Sequence, residues 1–128
     1  RLVLAVLHIP ATPDQALQRL IDVIPEDIRP ASRRSLARVL RCVSAQRLLP
    51  AREPAHGQPP ARGRVAAYGL LLPDAETRRA IEDATDWRVR TTPPAKGSIT
   101  LPDAIRHLAA TAAIAPETAK EALAEFEE

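Results

Sequence analysis

Arg33, Arg34, Arg38, Arg41 and Arg47 concentrate positive charge in one stretch of the chain, and phosphate contact is the chemistry such a stretch offers. With Arg29, Arg52, Arg62 and Arg64 they make the segment from Arg29 to Arg64 strongly basic, opposed only by Glu53. Arginines on one helical face can span phosphates across a groove, which positions a protein on a duplex without specifying sequence. The same pattern also suits a solvated face of an amphipathic helix. Its arginines would then pair with the C-terminal glutamates of this chain or of a partner.

Other chemistry has little to stand on. His8, His56 and His107 are far apart and lack metal-ligand spacing. Cys42 lies among arginines, as a reactive cysteine can, but a small buried residue is the commoner role for a lone cysteine. Ala95-Lys96-Gly97-Ser98 has the Lys and Gly of a phosphate loop in the wrong order, without the upstream glycine. The whole chain has four glycines, too few for a Gly-rich cradle. Trp87 can stack on a base, although a core or interface role fits a single ring better. Asp83 and Asp86 show no paired-acid logic. The expectation is a protein that is not an enzyme, with no cofactor and no metal.

Composition narrows the class. In 128 residues the aromatic share is 2 %, Met is absent and the net charge is +2, so the distribution of charge matters more than its sum. A core of Ala, Leu, Ile and Val with few rings suits close helix-on-helix packing. Lys96 and Lys120 are the lysines; every other basic residue is Arg, a bias typical of high-GC bacterial coding sequences. One cysteine excludes an internal disulfide and fits a reducing, cytoplasmic setting. No apolar run approaches a membrane span, and Leu2 to Ile9 is short even for a signal core. The chain opens on Arg1 rather than Met, as a piece of a longer protein would.

The elements that position these residues are punctuated by proline. Three helices start with Pro-Asp, at Pro13-Asp14, Pro73-Asp74 and Pro102-Asp103, where proline fits the first turn and aspartate complements the helix dipole. Thr12 and Gln15 form a capping-box pair for the first, Leu17, Leu20, Ile21 and Ile24 come next at helical spacing, and Pro25 ends it. A long helix is predicted from Ala31 to Leu48, with Leu36, Val39, Leu40 and Val43 on one side and Arg34, Arg38 and Arg41 opposite. Val65 to Leu72 and Trp87 to Thr91 read as short strands around a helix from Asp74 to Ala84; Leu2 to Ile9 is ambiguous between strand and helix. The fold class is therefore mainly α, built of αα-hairpins with a minor two-stranded β element in the middle. The organisation is an N-terminal helical segment 1–49, a Pro/Gly-rich linker or loop 50–63, and a C-terminal segment 64–128 ending in an αα-hairpin.

That hairpin also points toward nucleic acid. Ala112 suits a helix crossing, Ala113 the turn, Ile114 comes directly after it, and Thr118 with Ala119 opens the second helix. About twenty residues here resemble the helix-turn-helix of lactose-repressor-type regulators. That family usually has Gly at the turn and Ser at the cap; Ala113 and Ala115 stand here instead, which makes a positive φ costlier and removes a capping oxygen. Ala119-Lys120, Ala122-Leu123 and Phe126 also resemble the helical hairpin of HU-type nucleoid proteins, which would imply dimerisation. Glu117, Glu121, Glu125, Glu127 and Glu128 make the second helix acidic, so duplex phosphates would repel it. An ordinary αα-hairpin burying Ile105, Leu108, Ile114, Leu123 and Phe126 is the plainer alternative.

Taken together, the expectation is a DNA-associated regulatory or architectural protein of the cytoplasm, acting in transcription regulation. It would contact double-stranded DNA through Arg33, Arg34, Arg38, Arg41 and Arg47. The rival expectation is a helical protein–protein or homodimerisation module with no nucleic acid and no membrane.

Overall fold

The computed structural model describes residues 2–8, 12–53, 63–84 and 96–126. Its elements run α1 (Pro13–Asp22), α2 (Arg29–Val39), β1 (Val43–Pro50), β2 (Arg64–Leu71), α3 (Ala75–Asp83), α4 (Leu101–Ala110) and α5 (Pro116–Ala124). The fold is mixed, five helices among the described residues around a two-stranded antiparallel sheet. The helices match the expected class. The sheet is more than a minor addition, because both core clusters form on it.

Helix starts obey local chemistry. The Thr12 hydroxyl accepts from the Gln15 amide at 3.4 Å and Pro13 sits in the first turn of α1, burying Leu17 and Ile21 along one face. For α3 the aspartate is outside the helix rather than just inside it. Asp74 is the N-cap and accepts from the Thr77 amide at 2.7 Å. In α4, Thr100 caps by accepting from the Asp103 amide at 3.2 Å, and α5 starts at Pro116 after Ala115 with no side-chain cap.

The predicted long helix 31–48 is cut short. α2 ends at Val39, Leu40 turns extended (φ −59°, ψ 124°), and β1 takes over at Val43. Leu36, Leu40 and Val43 still pack on the core, but from two different elements, and Val39 is 68 % exposed. What decides the switch is pairing with β2, in register Val43↔Leu71 through Gln46↔Tyr68 to Pro50↔Arg64. Along β1 the side chains alternate, with Val43, Ala45, Arg47 and Leu49 turned inward and Ser44, Gln46, Leu48 and Pro50 outward. The strand expected near Val65 to Leu72 is present as β2; the one at Trp87 to Thr91 lies outside the described residues. A single bridge, Leu70↔Ile99, extends the sheet beyond β2, with amide–carbonyl distances of 2.7 and 2.8 Å.

Both halves of the core form against the inward face. At one end Leu71 packs with Leu17 and Ile21 of α1, Ala37 of α2, and Ala80 and Ile81 of α3. At the other, Leu49 and Ala67 pack with Ile105, Ile114, Ala119 and Ala122 of the α4–α5 hairpin. Each large aliphatic side chain so buried contributes about 1.5–3 kcal/mol. Between the clusters lies Gly69. A Cβ there would sit 3.0 Å from Leu101 Cδ1 and 3.2 Å from the Pro13 ring, so the first turns of α1 and α4 both come down on a bare backbone.

The hairpin also departs from its expected geometry. Ala112 is not at a helix crossing. It is the turn itself, left-handed at φ 58°, and the Ala113 amide reaches back to the Leu108 carbonyl at 2.9 Å in the manner of a Schellman closure. Gly69→Val should destabilise the fold by about 1–3 kcal/mol through overpacking. Chemical denaturation would show it as a lower midpoint, with Gly69→Ala costing less.

Candidate functional site

The basic residues singled out in the sequence do not form one surface. Arg34 and Arg38 are exposed on α2, and Arg41 is exposed in the link to β1. Arg33 is half-buried, with its Nε shielded from solvent and without a hydrogen-bond partner among the described residues. Arg47 lies on β1, on the inward side. There its guanidinium grips the Glu125 carboxylate with both terminal nitrogens, one contact being 2.7 Å. This fork ties the strand to the end of the acidic helix, 78 residues on.

Two arginines not singled out for a structural role close helix ends instead. Arg29 Nε donates to the Ile24 carbonyl at 3.0 Å, and a terminal nitrogen approaches the Asp22 carbonyl at 3.5 Å, just past the end of α1. The Arg78 guanidinium, on α3, donates to the Ala37 carbonyl in the last turn of α2. Cations at helix C-termini satisfy carbonyls without an internal partner and complement the dipole. The signal for Arg29 was its place a few residues beyond the predicted helix end. Arg78 and Glu125 had no local signal, because each partner is remote in sequence.

Electrostatic effects arise from these contacts. The hydrogen bonds from Arg47 hold the Glu125 carboxyl below its ordinary range, and the same contact raises the Arg47 guanidinium. The Thr77 amide holds Asp74 below its ordinary range.

The remaining candidates take structural or solvent-facing places. Ser98 of the Lys-Gly-Ser run accepts from the Leu72 amide at 2.9 Å, and Gly97 turns there at φ 88°, so this segment anchors the Ile99 bridge. Cys42 is exposed and lies between α2 and β1 rather than buried in a helix. His8 and His107 are exposed, and among the described residues no group of three His, Cys, Asp or Glu can hold a metal. His56, Trp87 and Asp86 lie outside the described residues. An open, largely apolar groove of about 450 Å³ runs between α1 and α2, lined by Leu20, Ile24, Ala31, Leu36 and Val39 among others. No described helix is long and apolar enough to cross a membrane.

The whole arrangement superposes on parts of larger proteins. A crystal structure of the pilus retraction motor PilT with bound ADP matches at a TM-score of 0.66 and 27 % sequence identity, over 88 % of this chain and 30 % of that one. The ATPase DotB of Legionella pneumophila matches at a TM-score of 0.67 and 17 % identity, over 91 % of this chain and 30 % of that one, a likeness of fold. The chain thus spans about 30 % of the length of either protein. No protein-family model matches the sequence, and no curated protein matches it.

These likenesses overturn the expectations built on the hairpin. The fold is shared with a motor and an ATPase, not with lactose-repressor-type regulators or HU-type nucleoid proteins. The same likenesses, to a motor and an ATPase, contradict the expectations of a DNA-associated protein, of transcription regulation and of a non-enzyme, and the rival dimerisation module gains no support. Packing supplies the reason. Ala119 and Ala122 of α5 are buried in the cluster with Leu49 and Ala67 of the sheet, Glu125 is held by Arg47, and the Ala113 carbonyl accepts from the Arg52 amide at 2.9 Å. A helix clamped to a sheet on its apolar side, with glutamates elsewhere, has no basic face for a groove.

The depressed carboxyl pKa values set a pH dependence. A carboxylate stabilised in the folded state adds stability above its ordinary pKa and loses it as pH falls through the lowered folded value. The thermal unfolding midpoint should therefore fall as the pH drops below about 5. In an Asp74→Asn, Glu125→Gln double variant that fall should be shallower, since Asn still caps and Gln still accepts without titrating.

Proposed function

We propose that this chain is a portion of a motor-type ATPase subunit, of the kind represented by the pilus retraction motor PilT. The observation that carries the reading is the superposition on PilT over 88 % of this chain at 27 % identity. The fold match to the ATPase DotB supports the same class.

Within such a subunit the work divides according to what each part can do chemically. Nucleotide phosphates are gripped by successive backbone amides in a Gly-rich loop at a helix N-terminus. Gly57, Gly63, Gly69 and Gly97 are scattered, so in this reading the phosphate cradle belongs to the remainder of the subunit. These residues then contribute a braced body. The sheet joins two helical groups, and the Arg47–Glu125 fork locks the far helix to the strand. Arg34, Arg38 and Arg41 are among the exposed cations it offers to anions in that setting, a nucleotide phosphate among them.

The test is phosphate release from ATP, with magnesium, by the full natural polypeptide that carries these residues. Saturable turnover inhibited by ADP is the expected result. A correctly folded full polypeptide that neither binds nor hydrolyses ATP would remove the reading.

A further inference from the structure

The segment Leu2–His8 has neither helix nor strand structure and lies in solvent. Leu2, Val3, Leu4 and Val6 are 78 %, 82 %, 85 % and 95 % exposed, and among the described residues no hydrogen bond engages the segment. In an extended chain Leu2, Leu4 and Val6 point one way and Val3, Ala5 and Leu7 the other. Both faces are therefore apolar. A strand at the edge of a sheet is normally protected by charge or proline, and from Leu2 to Leu7 there is neither. Apolar residues on both sides, without alternation, are the pattern of an interior strand in a parallel sheet covered by helices on both faces.

The next element of the chain fits the same unit. A short connection leads to α1, and parallel strands need a helical crossover of this kind. The groove between α1 and α2 is a second apolar surface left open on that helix, with Leu20 and Ile24 in its wall. Pairing with a second copy would not suffice, because a two-stranded ribbon leaves both its faces in water. The outer face of β1 and β2, where Leu48 and Tyr68 are half exposed, would cover one side of the segment and leave the other bare.

We infer that Leu2–His8 is an interior strand of a parallel β-sheet whose other strands come from the rest of the ATPase subunit. The inference rests on the ATPase reading for the identity of that partner. The solved neighbours support the choice, because this chain spans about 30 % of their length and the larger share remains to supply a sheet.

Amide hydrogen exchange, measured by mass spectrometry on the full natural polypeptide, tests it. Amides of residues 3–8 should exchange at least about a hundredfold more slowly than in the same protein unfolded in urea. Val6→Asp should abolish that protection or the fold, whereas Val6→Ile should keep both. Exchange as fast as in the unfolded chain would overturn the assignment, and so would protection that vanishes on dilution as dimers dissociate. ATP turnover measured on the same sample separates the two readings. Slow exchange without turnover would keep the strand and overturn the ATPase; turnover with fast exchange would do the reverse.

Discussion

The constraint on which this fold depends is that a two-stranded ladder has one face to cover, and everything else must reach that face. β1 and β2 turn Val43, Leu49, Ala67 and Leu71 inward, and two separate helical groups converge on them. They can do so side by side because Gly69, two residues before the end of β2, presents no side chain where Pro13 and Leu101 arrive. A two-stranded sheet alone is marginal in water. Here it joins both cores, contributing Leu71 to one and Leu49 and Ala67 to the other.

Three arginines help to hold that arrangement. Arg29 and Arg78 close the ends of α1 and α2, and Arg47 fixes the tail of α5 to the first strand. A stretch rich in arginine therefore reads as a phosphate-binding surface until the partners are known. Once they are known, two of its members, Arg29 and Arg47, prove to satisfy carbonyls and a carboxylate inside the same chain. Arg34, Arg38 and Arg41 stay exposed, as do Arg52 and Arg64 of the same stretch.

Legibility in the sequence tracks the range of the interaction. The caps Thr12 and Thr100 act within three residues, so their signals are complete in the local sequence, and α1 and α4 fall close to where they were expected. The boundary between α2 and β1 was not legible. Leu36, Leu40 and Val43 satisfy helical spacing and are all on the core, yet Val43 arrives there from a strand whose partner begins only at Arg64. The Arg47–Glu125 fork was invisible for the same reason, although the idea that basic residues and C-terminal glutamates pair within the chain was available from charge alone.

The α4–α5 hairpin marks the division most clearly. Its helices, its buried Ile105 and Ile114 and its acidic second helix were all present in the residue pattern, since amphipathic spacing and net charge are local properties. What that second helix packs against was not. A short apolar stripe such as Ala119 and Ala122 is the same pattern whether it seats a helix for DNA or clamps it to a sheet. Which of the two it does is a matter of contacts between residues far apart in sequence, and those exist only once the strands have paired.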